Sequence, residues 1–197
     1  MKKITLITII MGVFLVANAQ IDENKVLDTD LVPRNELILT PEITEMLDTS
    51  IFSRMKNWPD RELSNYGIKN RSQLNGLQLG KPIPRYVLDN KNLIFLNTWT
   101  ILVMSDGASL FFVTVRLMEN GQYKWAGSGS GSAGFVEILH NYEYKDLIIG
   151  ILDEYPTNYY IIRKDNKDIF VKVYDYETRE YFSGEYSLPD IINLIKE

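Results

Sequence analysis

The dipeptide Asn120-Gly121 constrains this chain more than any other pair of residues. It separates Ala108–Met118, a run dense in β-branched and aromatic residues, from Gln122–Ala126, which reads as a returning strand. Asn and Gly both tolerate positive φ, so a tight turn here folds the two runs into an antiparallel hairpin. Upstream, Asn92–Leu96 and Trp99–Met104 are apolar, and Ser105-Asp106-Gly107 turns the chain into the run at Ala108. These short connections predict an antiparallel meander and leave no room for a βαβ series.

The same punctuation continues on both sides. Pro82 and Pro84 hold Lys81–Arg85 extended and lead into an edge strand through Tyr86–Leu88. Leu147–Leu152 reads as a buried strand, and Tyr159–Arg163 and Ile169–Tyr174 flank a turn at Asp165-Asn166. Tyr181–Tyr186 adds a short last strand. Thr40-Pro41-Glu42 is a helix start, with Thr as N-cap, Pro at N1 and an acid at the positive end of the dipole. Ile43, Met46, Leu47, Ile51 and Met55 recur at helical spacing, with Asp48-Thr49-Ser50 expected to split the segment in two. Ala133–Tyr142 is expected as a short helix turning Phe135, Val136 and Leu139 inward. Ser187 and Asp190 form a capping-box-like start for a C-terminal helix carrying Ile191, Ile192 and Ile195. The expected fold is α+β, an antiparallel meander sheet covered by N-terminal, central and C-terminal helices.

Export is the expected destination. Lys2 and Lys3 precede an apolar run from Ile4 to Val16, and Ala17-Asn18-Ala19 supplies the small residues that a signal peptidase accepts. Residues 1–19 thus read as a signal peptide cleaved before Gln20, and the run is shorter than the roughly 20 apolar residues of a membrane span. Residues 20–39 then read as a flexible acidic leader partly pinned by Leu37-Ile38-Leu39. Residues 40–79 read as a small helical or loop-rich lobe, and 80–197 as the sheet domain. Cleavage removes two of the 21 basic residues and none of the 26 acidic ones, giving the mature chain a net charge of −7. Such a balance disfavours nucleic-acid binding, which needs a basic face. No second apolar run reaches spanning length. There is no cysteine, so disulfides, thiolate metal sites and a lipoprotein acceptor after the signal peptide are all excluded.

Chemistry-bearing residues are sparse. Gly129-Ser130-Gly131-Ser132-Ala133-Gly134 satisfies G-x-G-x-x-G, but the strand before it returns from a hairpin, which is the wrong context for a dinucleotide fold. The serine-glycine alternation also misses the G-x-S-x-G elbow spacing. Ser128, Ser130, Ser132 and the single histidine, His140, are therefore candidate binding residues, with no catalytic set. Tyrosine is plentiful after Ala126, and a phenol joins an apolar body to a polar tip suited to recognition. Alternation on the second hairpin places Tyr160 and Ile162 on one face and Tyr159, Ile161 and Arg163 on the other, so Tyr159 and Tyr160 join the candidates as a recognition surface. Asp153, Glu154, Glu143 and Asp146 are carboxylates that could pair for glycosidase-type work, although no spacing brings two of them together. Asp165 and Asp168 lack the spacing of a calcium loop. No metal or cofactor is expected.

Leu79-Gly80-Lys81-Pro82-Ile83-Pro84-Arg85-Tyr86, followed by a meander, Asp106-Gly107, a long strand and a small-residue turn into a helix, resembles secreted bacterial domains of the streptopain-prodomain and PepSY-like type over about residues 78–139. The resemblance implies a non-catalytic modulator or binding domain engaging a secreted or envelope protein. The chain departs from the prodomain case in that no peptidase domain with a Cys-His pair follows, so it would have to act in trans or do something else. The expected function is an exported, non-enzymatic binding or modulator domain. The alternative is a periplasmic or secreted hydrolase whose acids or serines converge only in three dimensions.

Overall fold

The computed structural model describes residues 31–129, 148–154, 158–173 and 184–195. Helix α1 (Pro41–Leu47) begins after Thr40, whose carbonyl accepts from Thr44 N at 3.1 Å. Asp48-Thr49-Ser50 does not split the segment. Thr49 Oγ1 donates back to Glu45 O at 2.9 Å, and the chain widens through a π-helical turn (Asp48–Phe52) into α2 (Ser53–Met55). Ile43, Leu47, Ile51 and Met55 form one buried stripe along this run. α3 (Asp60–Asn65) and a 3₁₀ turn (Arg71–Asn75), capped by the Asn70 side chain, complete the N-terminal helical part.

Eight strands follow: β1 (Gln78–Asp89), β2 (Asn92–Ser105), β3 (Ala108–Leu117), β4 (Tyr123–Gly129), β5 (Ile148–Leu152), β6 (Tyr159–Lys164), β7 (Lys167–Lys172) and β8 (Glu185–Tyr186). Helix α4 (Leu188–Leu194) follows β8, its start fixed by the Ser187–Asp190 capping box. The strands form one sheet in the order β4-β3-β2-β1-β5-β6-β7-β8. This overturns the expected antiparallel meander covered by three helices. Two antiparallel meanders, β1–β4 and β5–β8, meet along a parallel pair in which Arg85 faces Ile151 and Tyr86 faces Leu152, so the sheet is mixed. The described helices are few and short, and the expected central helix lies outside the described residues.

β1 is central, not the edge strand that its prolines suggested. Pro82 and Pro84 share one parity, so their missing N–H groups fall on one side of the strand, and the parallel ladder to β5 is registered at Arg85 and Tyr86, beyond both prolines. Gly150 makes the junction tight, since a Cβ there would lie 2.8 Å from Tyr86 Cε2. The turns also differ from expectation. Asn120-Gly121 belongs to a longer loop closed by Met118 N donating to Gln122 O at 2.9 Å, with Gly121 at positive φ, whereas Asn90-Lys91, Asp106-Gly107 and Asp165-Asn166 are the pairs in which both residues have positive φ.

Alternation assigns the two faces. On one, α1–α3 cover Trp99, Ile101, Val103, Phe111, Val113 and Val115, while Val32 and Ile191 of α4 pack with Tyr86, Leu152, Tyr159, Ile161 and Phe170. The chain before α1 is strapped across this face. Tyr86 Oη donates to Pro33 O at 2.5 Å, Asn35 Nδ2 to Tyr86 Oη at 3.0 Å, and Trp99 Nε1 to Asn35 O at 2.7 Å. Val32 and Leu37 are its buried anchors, while Ile38, expected among the pins, is 81% exposed. The opposite face carries a separate cluster of Ile83, Leu102, Ile148, Ile151, Tyr160, Ile162 and Val171.

Candidate functional site

The opposite face holds a cavity of about 210 Å³ where the two meanders join, lined by Arg85, Thr100, Phe112, Ile151, Asn158, Tyr160 and Val173. Register explains the convergence. Arg85 lies beside Ile151 on the parallel pair, and Ile151 faces Tyr160 on β6. Thr100 faces Ile83, and Phe112 faces Leu102, so both project from the same face. Thr100, Ile151 and Tyr160 are buried and form the floor, whereas Asn158 is exposed at the rim. The site lies at the switch point of the sheet, where β1 and β5 run parallel and the chain departs from them toward opposite edges. Ligand crevices recur at such points in open α/β sheets.

Three features give the cavity its chemistry. Arg85 Nε and Nη2 donate to the two Asp153 carboxylate oxygens at 2.7 and 2.6 Å, a bidentate pair about three-quarters buried. Thr100 Oγ1 is buried with no hydrogen-bond partner among the described residues. A buried hydroxyl left unmatched costs about 1–3 kcal/mol, so it is the polar atom with most to gain from a ligand. Burial pushes the Tyr160 phenol far above its ordinary range, against a smaller downward pull from the Arg85 guanidinium, and keeps it protonated at neutral pH. The ion pair is internally neutral, the phenol is neutral, and Phe112, Ile151 and Val173 supply apolar wall.

The phenol shifts have a stability consequence. Burial also raises Tyr86, opposed by its hydrogen bond with Asn35. Both folded-state values lie above the unfolded one, so the stabilisation is complete below about pH 10 and is lost as pH rises further, because the unfolded chain releases these protons first. The expected loss is up to about 1.4 kcal/mol per pH unit for each of the two tyrosines. Urea unfolding between pH 9 and 11.5 measures it, and Tyr160→Phe removes one of the two contributions.

The residues singled out from sequence are distributed differently. Tyr160 reaches the cavity floor, but it is 5% exposed and Tyr159 is 7% exposed, so the pair packs into the two faces and forms no exposed recognition surface. Ser128 lies on the helical face, its Oγ 3.5 Å from Tyr66 Oη. Ser130, Ser132 and His140 lie outside the described residues, as do Glu143 and Asp146. Asp153 is committed to Arg85, and Glu154 Oε1 accepts from Leu88 N at 2.9 Å, so these two carboxylates brace the strand junction. Asp168 is held by Arg163. The described residues contain no group of three side chains suited to a metal ion. No signal within the sequence marked Arg85, Thr100 or Phe112: the β1–β3 pairings set them on one face, and only the parallel register of β1 and β5 brings Ile151 and Tyr160 beside them. Compared with protein-family models, curated proteins and solved structures, the chain matches none.

Proposed function

We propose that this protein is an exported, non-enzymatic binding or modulator domain whose ligand seat is the cavity at the β1–β5 junction. The observation that carries the reading is the buried Thr100 Oγ1, unpartnered among the described residues, in the floor of a cavity whose described surface is largely apolar. Among the described lining residues no nucleophile stands beside a base, and the carboxylate nearest the cavity is bound by Arg85. Export rests on the charged start, apolar run and Ala17-Asn18-Ala19 of the N-terminus. No described helix is long and apolar enough to cross a membrane. The modulator role rests on the resemblance to prodomain and PepSY-like modules.

The test is a thermal-shift screen of a neutral, acidic and basic small-molecule library against the wild type and Thr100→Leu, in which added bulk fills the cavity. Hits that stabilise the wild type and lose their effect in Thr100→Leu support the reading. Hits that survive in Thr100→Leu, or turnover of an ester, peptide or glycoside substrate by the wild type, contradict it.

A further inference from the structure

Resting on the cavity as a ligand seat, we propose that its ligand is an uncharged molecule with a ring-sized apolar body and one hydroxyl or carbonyl group directed at Thr100 Oγ1. Charge, size and hydrogen-bonding demand each narrow the class. Among the described residues Arg85 is the only charged side chain in the lining, and its bidentate bond to Asp153 cancels both charges within the wall. A carboxylate entering the cavity would shed its hydration with no unspent countercharge to meet it, and an ammonium would face a carboxylate already occupied.

The volume of about 210 Å³ exceeds the roughly 150 Å³ of a cavity known to hold benzene. It therefore suits a body of about eight to ten heavy atoms. Phe112, Ile151 and Val173 contact such a body over apolar surface, with Phe112 available for edge or offset ring packing. The remaining demand is local. Thr100 Oγ1 is both donor and acceptor and is buried without a partner among the described residues, so a hydroxyl satisfies it in either sense and a carbonyl satisfies it as acceptor. A hydrocarbon of equal size leaves it unmatched.

Three probes separate these requirements: benzyl alcohol, toluene and benzoate, titrated while the Ile151 and Val173 methyl signals are followed by NMR. Thr100→Val keeps the side-chain shape and deletes the hydroxyl, and Thr100→Ser keeps the hydroxyl on a smaller side chain. The expected result is saturable binding of benzyl alcohol that weakens about 3- to 10-fold in Thr100→Val, the size of one hydrogen bond. Thr100→Ser retains that binding, toluene affinity is unchanged or tighter in Thr100→Val, and benzoate binds least. If Thr100→Val changes benzyl alcohol and toluene alike, or neither, the polar requirement is wrong while the seat remains. If benzoate binds more tightly than benzyl alcohol, neutrality is wrong. If none of the three shifts the methyl signals, the ligand class is overturned, and the binding reading then rests on the library screen, whose neutral, acidic and basic members do not presuppose it.

Discussion

Replacing Asp168 by Ala is expected to lower the unfolding free energy by about 3–5 kcal/mol, the cost of leaving a buried charge without its partner. Asp168 has a fully buried side chain and binds Arg163 through Nε at 2.7 Å and Nη2 at 2.8 Å. It also accepts from the Val32 amide, while Arg163 Nη2 donates to Val32 O at 2.8 Å. The hydrogen bond to Asp168 raises the Arg163 pKa in the native protein, and even without it a guanidinium is too basic to escape by losing its proton. One substitution thus strands the Arg163 charge and releases the start of the strap across the helical face. Removing both charges in Arg163→Met/Asp168→Leu should cost much less, since a buried pair replaced by apolar groups can be nearly neutral. Urea midpoints at unchanged m-value measure the difference, and amide exchange at Val32 should accelerate in both variants.

The second large effect is expected at Phe111. Its ring is fully buried beneath the N-terminal helices, with Tyr66 edge-on at 5.4 Å between centroids and Phe52 at 6.4 Å. Phe111→Ala should destabilise by about 3–5 kcal/mol through lost transfer energy and the cavity left behind. Its neighbour Phe112 points to the other face, is half-buried and lines the cavity at the β1–β5 junction. Phe112→Ala should therefore cost clearly less stability than Phe111→Ala while widening the seat. Equal losses would mean that the two faces have been assigned wrongly.

Local chemistry was the legible part of this fold. The apolar stripe of α1 and α2, the Ser187–Asp190 cap and the strand-rich centre all follow from patterns within a few residues of one another. The parallel pair does not. Arg85 and Ile151 are far apart in sequence, and the prolines beside Arg85 argued locally for an edge, while the tertiary register put them in the middle of the sheet. The same distance hid the site. Alternation assigned Tyr160 to a face correctly, but whether that face is exposed depends on β1, β2, β5 and β7 packing beside it. Asp153 read as a carboxylate open to pairing with another acid because nothing near it in the chain announced its arginine. Thr100 sits unmarked within the run Trp99–Met104, and its lack of a partner among the described residues exists only in three dimensions.

The proposed ligand seat is the β1–β5 cavity, and a fragment screen read by methyl-resolved NMR of the full chain tests it directly. The predicted result is that perturbations from unrelated fragments converge on the Thr100, Ile151 and Val173 methyl groups. Convergence instead on the exposed groove beside Tyr186, Asp190, Asn193 and Leu194, or no convergence at all, would contradict it.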